Sequence, residues 1–245
     1  MLRFSVVVPL LATLGINNKV SFLEKAGTGY ISIIRHMGFR LISWFSPPNS
    51  TGAYELDLSL VNNFNLAWRT MHLKTDVFCS GSIILPDKKA RQLNVGGWSL
   101  DSTFGVRLYT PDGKDGVNGT NDWEENVSLL KLQVLHISTS PSLLSFFLRQ
   151  RGRWYNTAGV LANGSVLVIG GETGSNGPPQ PNLEILPKPA GGDTVITLDW
   201  LTRTDPNNLY PFVVILPSQN VFVGTSTLSS ITSYRFYFST YSLLQ

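Results

Sequence analysis

Apolar and polar residues alternate with a period of two in many short runs along this 245-residue chain, and this pattern predicts β-strands. The strongest hairpin signal is Asn163-Gly164, which separates residues 153–161 from residues 166–169, because both turn residues tolerate a positive φ angle. Further strands are predicted at residues 6–14, 19–23, 54–58, 77–85, 92–95, 105–109 and 220–223. We therefore expect an all-β fold with little helix.

Three segments of the chain share one arrangement of residues and predict a repeated structural unit. In each segment a residue lies six positions before a leucine that leads into a turn and then a strand. These pairs are Cys79 and Leu85, Tyr155 and Leu161, and Tyr210 and Leu216. The first two copies also share a Gly-Gly step, and an apolar, serine-rich segment at residues 134–149 lengthens the spacing between them. Repeats of about 50 residues built from short strands are typical of the blades of a kelch-type β-propeller.

In a propeller, the innermost strand of every blade lines a central channel, so side chains at one offset in successive blades converge near the axis. Cys79 and Tyr155 are therefore expected to lie side by side, and a sulfur beside a phenol indicates chemistry rather than packing. Tyr210 has the same offset. We interpret it as an aromatic residue that fills space between blades and do not assign it as a metal ligand.

Composition and charge narrow the classes of function. The net charge is +3 at pH 7, but the basic residues are scattered and form no continuous stripe that could follow a phosphate backbone. This argues against a nucleic-acid-binding protein. Apart from the N-terminus, no segment approaches the ~20 apolar residues that a membrane-spanning helix requires.

Cys79 is the only cysteine, which excludes an internal disulfide framework and a cysteine-rich zinc site. A lone cysteine is usually a small buried hydrophobe, but in an exported protein a free thiol needs a partner or a task. Four glycosylation sequons favour export; they begin at Asn49, Asn118, Asn126 and Asn163. Residues 4–14 resemble a signal peptide without a clear cleavage site, so we interpret residues 6–14 as a strand that turns at Asn17-Asn18.

Seven short motifs follow one another between residues 54 and 223. They are Asp76-Val77-Phe78-Cys79-Ser80-Gly81, Asn94-Val95-Gly96-Gly97-Trp98-Ser99, Gly105-Val106-Arg107-Leu108-Tyr109, Asn121-Asp122-Trp123, Arg153-Trp154-Tyr155, Val168-Ile169-Gly170-Gly171 and Asp205-Pro206-Asn207-Asn208-Leu209-Tyr210-Pro211-Phe212. In this order and spacing the motifs resemble the N-terminal part of a fungal glyoxal oxidase, within the wider galactose-oxidase-like group of copper-radical oxidases.

The resemblance implies a seven-bladed kelch-type propeller, of which this chain would contain about three to four blades. It also implies an axial copper ion bound by two tyrosines and two histidines, with one tyrosine joined to a cysteine through a thioether. By motif, Cys79 matches the linking cysteine, and Tyr155 matches the linked tyrosine that binds copper. The implied reaction oxidises small aldehydes or related alcohols and reduces dioxygen to hydrogen peroxide, in a secreted protein.

Several features depart from the family pattern. The remaining ligands, a Tyr-His pair and a later histidine, are expected beyond residue 245, and His36, His72 and His136 lie in no matching motif. We therefore expect this chain to be truncated and inactive alone. Glu172-Thr173 occupy the place of the stacking tryptophan of galactose oxidase.

We expect the chain to divide into a partial propeller at residues 1–223, interrupted near residues 30–48 and 134–149, and an atypical tail at residues 224–245. Two functions of other classes stay open. One is a non-catalytic kelch-type interaction module, and the other is a carbohydrate-binding protein that uses exposed tryptophans.

Overall fold

The computed structural model describes residues 9–16, 18–25, 51–125, 151–186, 195–205, 209–218, 220–225 and 229–232. These residues form fifteen strands in four antiparallel sheets. Sheet I contains β1 (Leu11–Leu14), β2 (Lys19–Leu23), β3 (Thr51–Asp57) and β4 (Trp68–Leu73); sheet II contains β5 (Gly81–Ile84), β6 (Gln92–Val95), β7 (Val106–Tyr109) and β8 (Trp123–Glu125). Sheet III contains β9 (Thr157–Val160), β10 (Val166–Ile169), β11 (Asn182–Leu186) and β12 (Ile196–Thr197); sheet IV contains β13 (Phe212–Ile215), β14 (Val221–Gly224) and β15 (Ser229–Thr232).

Strands in each sheet follow one another in chain order, so every sheet is an up-and-down meander. Helix in the described residues is limited to α1 (Phe64–Ala67), α2 (Asp199–Thr202) and the 3₁₀ turns Leu58–Leu60, Leu100–Phe104 and Gly116–Asn118. None of these helices is both long enough and apolar enough to cross a bilayer. The prediction of an all-β fold with little helix is confirmed.

The tight turns lie where the turn residues predict them. Between β9 and β10, Gly164 has a φ of +85°, and the side-chain oxygen of Asn163 accepts a hydrogen bond from the N–H of Ser165. At the N-terminal end of the described chain, Asn18 has a φ of +55° and connects β1 to β2. The predicted hairpins at both places are confirmed, and residues 6–8 of the first predicted strand lie outside the described residues.

The core lies between consecutive sheets rather than within one sheet. Strand β10 shows this arrangement because its four residues are fully buried and alternate between two faces. Val166 and Val168 pack with apolar residues of sheet II, whereas Leu167 and Ile169 pack with those of sheet IV. A third apolar cluster, which includes Met71 of sheet I, joins sheet I to sheet II.

Four meander sheets packed face to face in chain order form an incomplete β-propeller, as the repeats predict. The assignment of these repeats to the kelch type and the division into domains stay predictions. Residues 30–48 and 134–149 lie outside the described residues. Of the segment 224–245, the structure describes residues 224, 225 and 229–232, and the last four pair with β14 as strand β15.

Buried charges reinforce the sheets from within. The guanidinium of Arg153, which has no exposed surface, pairs with Glu184 at 3.0 Å and also donates to the carbonyl oxygen of Gly170 at 2.9 Å. Arg107 of sheet II, also fully buried, pairs in the same way with Glu125 at 3.0 Å. Breaking such a pair by removing one partner leaves an uncompensated charge in the interior, which costs about 3–5 kcal/mol.

A loop of sheet II is anchored to sheet I by Asp112. Its carboxylate accepts hydrogen bonds from the backbone N–H groups of Lys114, Thr120 and Asn121 and lies 3.5 Å from the ammonium of Lys19. Burial alone would raise the pKa of Asp112, but these donors and the Lys19 charge outweigh it and lower the pKa to about 2. The folded state therefore favours the ionised carboxylate.

Candidate functional site

Cys79, Tyr155 and Tyr210 occupy equivalent places at the inner edges of sheets II, III and IV. Each lies two residues before the first strand of its sheet. Their φ angles are +57°, +60° and +47°, in the left-handed region that residues other than glycine rarely adopt. Strain of this kind costs about 1–3 kcal/mol per residue and is concentrated at functional sites, which makes this row of residues a candidate site.

Backbone hydrogen bonds join the three residues directly. The N–H of Tyr155 donates to the carbonyl oxygen of Cys79 at 2.9 Å, and the N–H of Tyr210 donates to the carbonyl oxygen of Tyr155 at 2.9 Å. One residue of each sheet is thus bonded to its counterpart in the next sheet. The convergence of Cys79 and Tyr155, which the repeats predict, is present in the structure; the catalytic role of the two residues stays a prediction.

The side chains of the three residues also meet. The half-buried thiol of Cys79 lies close enough to the phenols of Tyr155 and Tyr210 to raise the pKa of both. The two tyrosine rings lie edge to face, with centroids 5.3 Å apart and an interplanar angle of 83°. One thiol therefore lies against two phenols.

Both phenols are held in the neutral form at neutral pH. Burial, followed by the hydrogen bond to Cys79, raises the pKa of Tyr155 to about 12. Burial and the neighbouring Cys79 also raise the pKa of Tyr210 above its ordinary value. A cation that binds either phenol as phenolate must therefore displace a proton.

Trp154 also packs on Tyr155. Its ring centroid lies 4.0 Å from that of Tyr155, and the tryptophan is only 7% exposed. Beyond it, the ring of Phe78 lies 6.2 Å from Trp154 and 6.5 Å from Trp98, and the ammonium of Lys25 lies over Phe78 and Trp98. The tyrosine site is thus continuous with a group of aromatic rings.

Glu172 holds Trp154 in place. The N–H of each residue donates to the carbonyl oxygen of the other, at 2.8 and 2.7 Å. Burial, and then the charge of Asp205, raises the pKa of the Glu172 carboxyl, and its Oε2 is buried without a hydrogen-bond partner in the described residues. Glu172 therefore occupies the position at which the resemblance to galactose oxidase implies a stacking tryptophan, whereas Trp154, the residue before Tyr155, packs on the Tyr155 ring.

Gly171 allows this segment to pack closely. A Cβ atom on Gly171 would lie 2.2 Å from the carbonyl oxygen of Trp154, and the φ of Gly171 is +85°. Gly97 makes a matching approach in sheet II, where a Cβ atom would lie 2.1 Å from the carbonyl oxygen of Asp76. The second position of each Gly-Gly step thus has no room for a side chain, because a carbonyl oxygen of a neighbouring segment lies too close.

The donor groups at the site fit part of a copper centre. The structure places two phenols and a thiol together, and it contains no cluster of three or more His, Cys, Asp or Glu side chains within its described ranges. His72 is on sheet I, where its ring is 66% exposed and lies 2.8 Å from Asp122. His36 and His136 lie outside the described residues.

Sequence reasoning did not anticipate three contacts at this site. They are the proximity of Tyr210 to Cys79, the packing of Trp154 on Tyr155 and the bridge between Trp154 and Glu172. The shared offset of Tyr210 is a signal for the first contact, although a tyrosine at this offset is equally compatible with packing between blades. The other two depend on neighbouring chain segments and have no signal in the pattern.

Residues 55–237 match the family described as "Glyoxal oxidase N-terminus". The chain belongs to this family. The resemblance drawn from the seven motifs is therefore confirmed, and the chain is a copper-radical-oxidase-like N-terminal region.

Two curated relatives are similar to this chain. The chain is 49% identical over 219 residues to a "WSC domain-containing protein" of Arthroderma benhamiae, covering 89% of this chain and 20% of the relative. It is 28% identical over 169 residues to "Aldehyde oxidase GLOX" of Vitis pseudoreticulata, covering 68% of this chain and 26% of the relative. The chain thus spans about a fifth to a quarter of the length of these curated relatives.

Among solved structures, one similar chain belongs to a fungal alcohol oxidase of the AA5 family in complex with copper. The TM-score is 0.41 and the sequence identity is 17%, over 74% of this chain and 28% of that chain.

Proposed function

We propose that this chain supplies the cysteine and tyrosine half of a copper-radical oxidase centre. The proposed reaction oxidises small aldehydes, or related alcohols, and reduces dioxygen to hydrogen peroxide. The observation that carries the proposal is the contact between the Cys79 thiol and the Tyr155 phenol at paired, left-handed positions of neighbouring sheets. The name of the Vitis relative, an aldehyde oxidase, supports the class of substrate.

Tyr155 is the residue that would hold copper in this proposal. It would do so as a phenolate, so binding has to release the phenol proton, which a pKa of about 12 otherwise retains at neutral pH. The imidazole ligands that suit copper would have to come from outside the described residues. When bound, copper would accept one of the two electrons removed from the substrate.

Cys79 and Tyr155 would supply the other electron acceptor once they are joined. Forming the thioether breaks the S–H bond of Cys79 and one ring C–H bond of Tyr155 and forms a C–S bond between them. The two electrons and two protons released pass to dioxygen, which becomes hydrogen peroxide. The left-handed backbone of both residues, fixed by their shared hydrogen bond, would hold sulfur and ring together for this step.

We also propose that the protein is secreted. Asn118 and Asn163, which begin two of the four sequons, are exposed on the described surface. The other two sequons begin at residues outside the described ranges.

Mass spectrometry of the copper-loaded chain tests the proposal. Protein incubated with copper(II) in air, with and without free imidazole as a substitute ligand, is digested and searched for a linked peptide that contains Cys79 and Tyr155. We expect this peptide to be lighter than the two separate peptides by two hydrogen atoms. It should be absent from Tyr155→Phe and Cys79→Ser proteins.

Peroxide release provides the second measurement. We expect small aldehydes to produce peroxide only when the linkage is present and imidazole completes the centre, and Tyr155→Phe should abolish it. If no linked peptide forms under either condition, the oxidase proposal is wrong for this chain. The non-catalytic propeller module would then be favoured.

A further inference from the structure

We propose that Tyr210 is a positioning residue of this site, which holds the Cys79 thiol and the Tyr155 ring in register for their coupling. This inference rests on the proposed function for its consequence, but the contacts that support it do not depend on copper. Tyr210 is the third residue in the row of left-handed positions, after Cys79 and Tyr155.

The backbone of Tyr210 fixes its distance from the other two residues. Its N–H donates to the carbonyl oxygen of Tyr155 at 2.9 Å, and its φ of +47° turns the side chain away from the direction that an extended strand would give. A residue other than glycine is strained in this conformation. The same strained conformation recurs at Cys79 and Tyr155, so it is a property of the site rather than of one loop.

The side chain of Tyr210 makes two different contacts. Its hydroxyl lies near enough to the Cys79 thiol to have its pKa raised, and its ring lies edge to face with that of Tyr155, with centroids 5.3 Å apart. The first contact limits rotation of the thiol, and the second limits rotation of the Tyr155 ring. Trp154 contacts the same ring, with centroids 4.0 Å apart. The ring to be linked thus has two aromatic neighbours.

Simple packing does not account for Tyr210. Tyr210 is 44% exposed, whereas residues that fill the space between the sheets, such as Leu167 and Val221, are 0–1% exposed. A tyrosine that only filled space would not need to be accessible to solvent or to lie near the single thiol of the chain.

A double-mutant cycle without copper tests the contact itself. The variants are Tyr210→Phe, Cys79→Ala and the combination, and the measurement is the unfolding equilibrium constant in urea. We expect the change in the unfolding equilibrium constant of the double variant to be about two- to fivefold smaller than the product of the changes in the two single variants, because an interaction between a phenol and a thiol is weak. A control cycle combines Cys79→Ala with Tyr54→Phe on sheet I. In that cycle the effects of the two substitutions on the unfolding equilibrium constant should multiply. If the effects of Tyr210→Phe and Cys79→Ala on this constant also multiply, the proposal is wrong.

Copper-loaded protein tests the consequence for coupling. We expect Tyr210→Phe, which keeps the ring, to lower the fraction of linked peptide, and Tyr210→Ala, which also removes the ring, to lower it further. In both variants the linkage that remains should still join Cys79 to Tyr155. A fraction of linked peptide equal to that of the unmodified chain in both variants would refute the positioning role. Linkage of Cys79 to Tyr210 in the Tyr155→Phe protein would refute it as well, because Tyr210 would then be a coupling partner.

The two experiments separate the possible failures. If no protein forms the linked peptide but the cycle shows coupling, the proposed oxidase function fails, while the contact between Tyr210 and Cys79 stands. If the unmodified chain forms the linked peptide but the cycle shows no coupling, the oxidase function stands and the positioning role is wrong.

Discussion

Replacing Gly171 by alanine should disrupt the site through the backbone next to Tyr155. The added Cβ would lie 2.2 Å from the carbonyl oxygen of Trp154, about 1 Å closer than an ordinary contact between carbon and oxygen. That carbonyl cannot rotate away freely because it accepts a hydrogen bond from the N–H of Glu172 at 2.7 Å. The segment that carries Tyr155 must therefore move.

Gly164 provides a matched control because it has the same φ of +85°, while a Cβ atom there would lie 3.8 Å from its nearest neighbour, the Cγ atom of Pro86. The left-handed backbone costs alanine about 1–2 kcal/mol at either site. The steric clash at Gly171 should add about 1–3 kcal/mol, a typical cost of overpacking. Gly171→Ala should thus lose about 2–5 kcal/mol in total, against about 1–2 kcal/mol for Gly164→Ala.

Urea unfolding followed by tryptophan fluorescence measures both free energies of unfolding. We expect similar slopes and a clearly lower midpoint for Gly171→Ala than for Gly164→Ala. Copper-loaded Gly171→Ala should also form less of the linked peptide than the control. Equal midpoints for the two variants would refute the reasoning, because they would show that the Trp154 carbonyl does not restrict this position.

Two further predictions concern buried charge. The pKa of Asp112 is lowered from 3.8 to about 2, so its ionised form should contribute about 2 kcal/mol of stability above pH 4, which is lost as the pH falls from about 4 to about 2. Urea midpoints measured across this range should fall less steeply for Asp112→Asn than for the unmodified chain; parallel curves would contradict the assignment. Arg153→Met should lose about 3–5 kcal/mol because it leaves the Glu184 carboxylate buried without its guanidinium partner. The double change Arg153→Met with Glu184→Gln should recover part of this loss in the same assay, and a double variant as unstable as the single one would show that the buried charge is not the cause.

The strands and tight turns of this protein could be predicted from the sequence because they depend on local properties. A period of two specifies which residues form a strand, and Asn163-Gly164 specifies a turn through its tolerance of positive φ angles. The repeated offset of Cys79 and Tyr155 also predicted that these residues would meet, since equivalent positions in stacked sheets share one edge. This argument needs no knowledge of the contacts between the sheets.

The details of the site were decided by the tertiary structure. The pairing of Lys19 with Asp112, 93 residues apart, and the contact of Tyr210 with the Cys79 thiol both join different sheets. The packing of Trp154 on Tyr155 depends on the backbone bridge to Glu172, 18 residues later in the chain. Sequence periodicity determines which face of a strand is apolar, but it does not determine which side chains meet at the edge of two stacked sheets. That choice follows from the twist and separation of the sheets, which every residue of the core sets together.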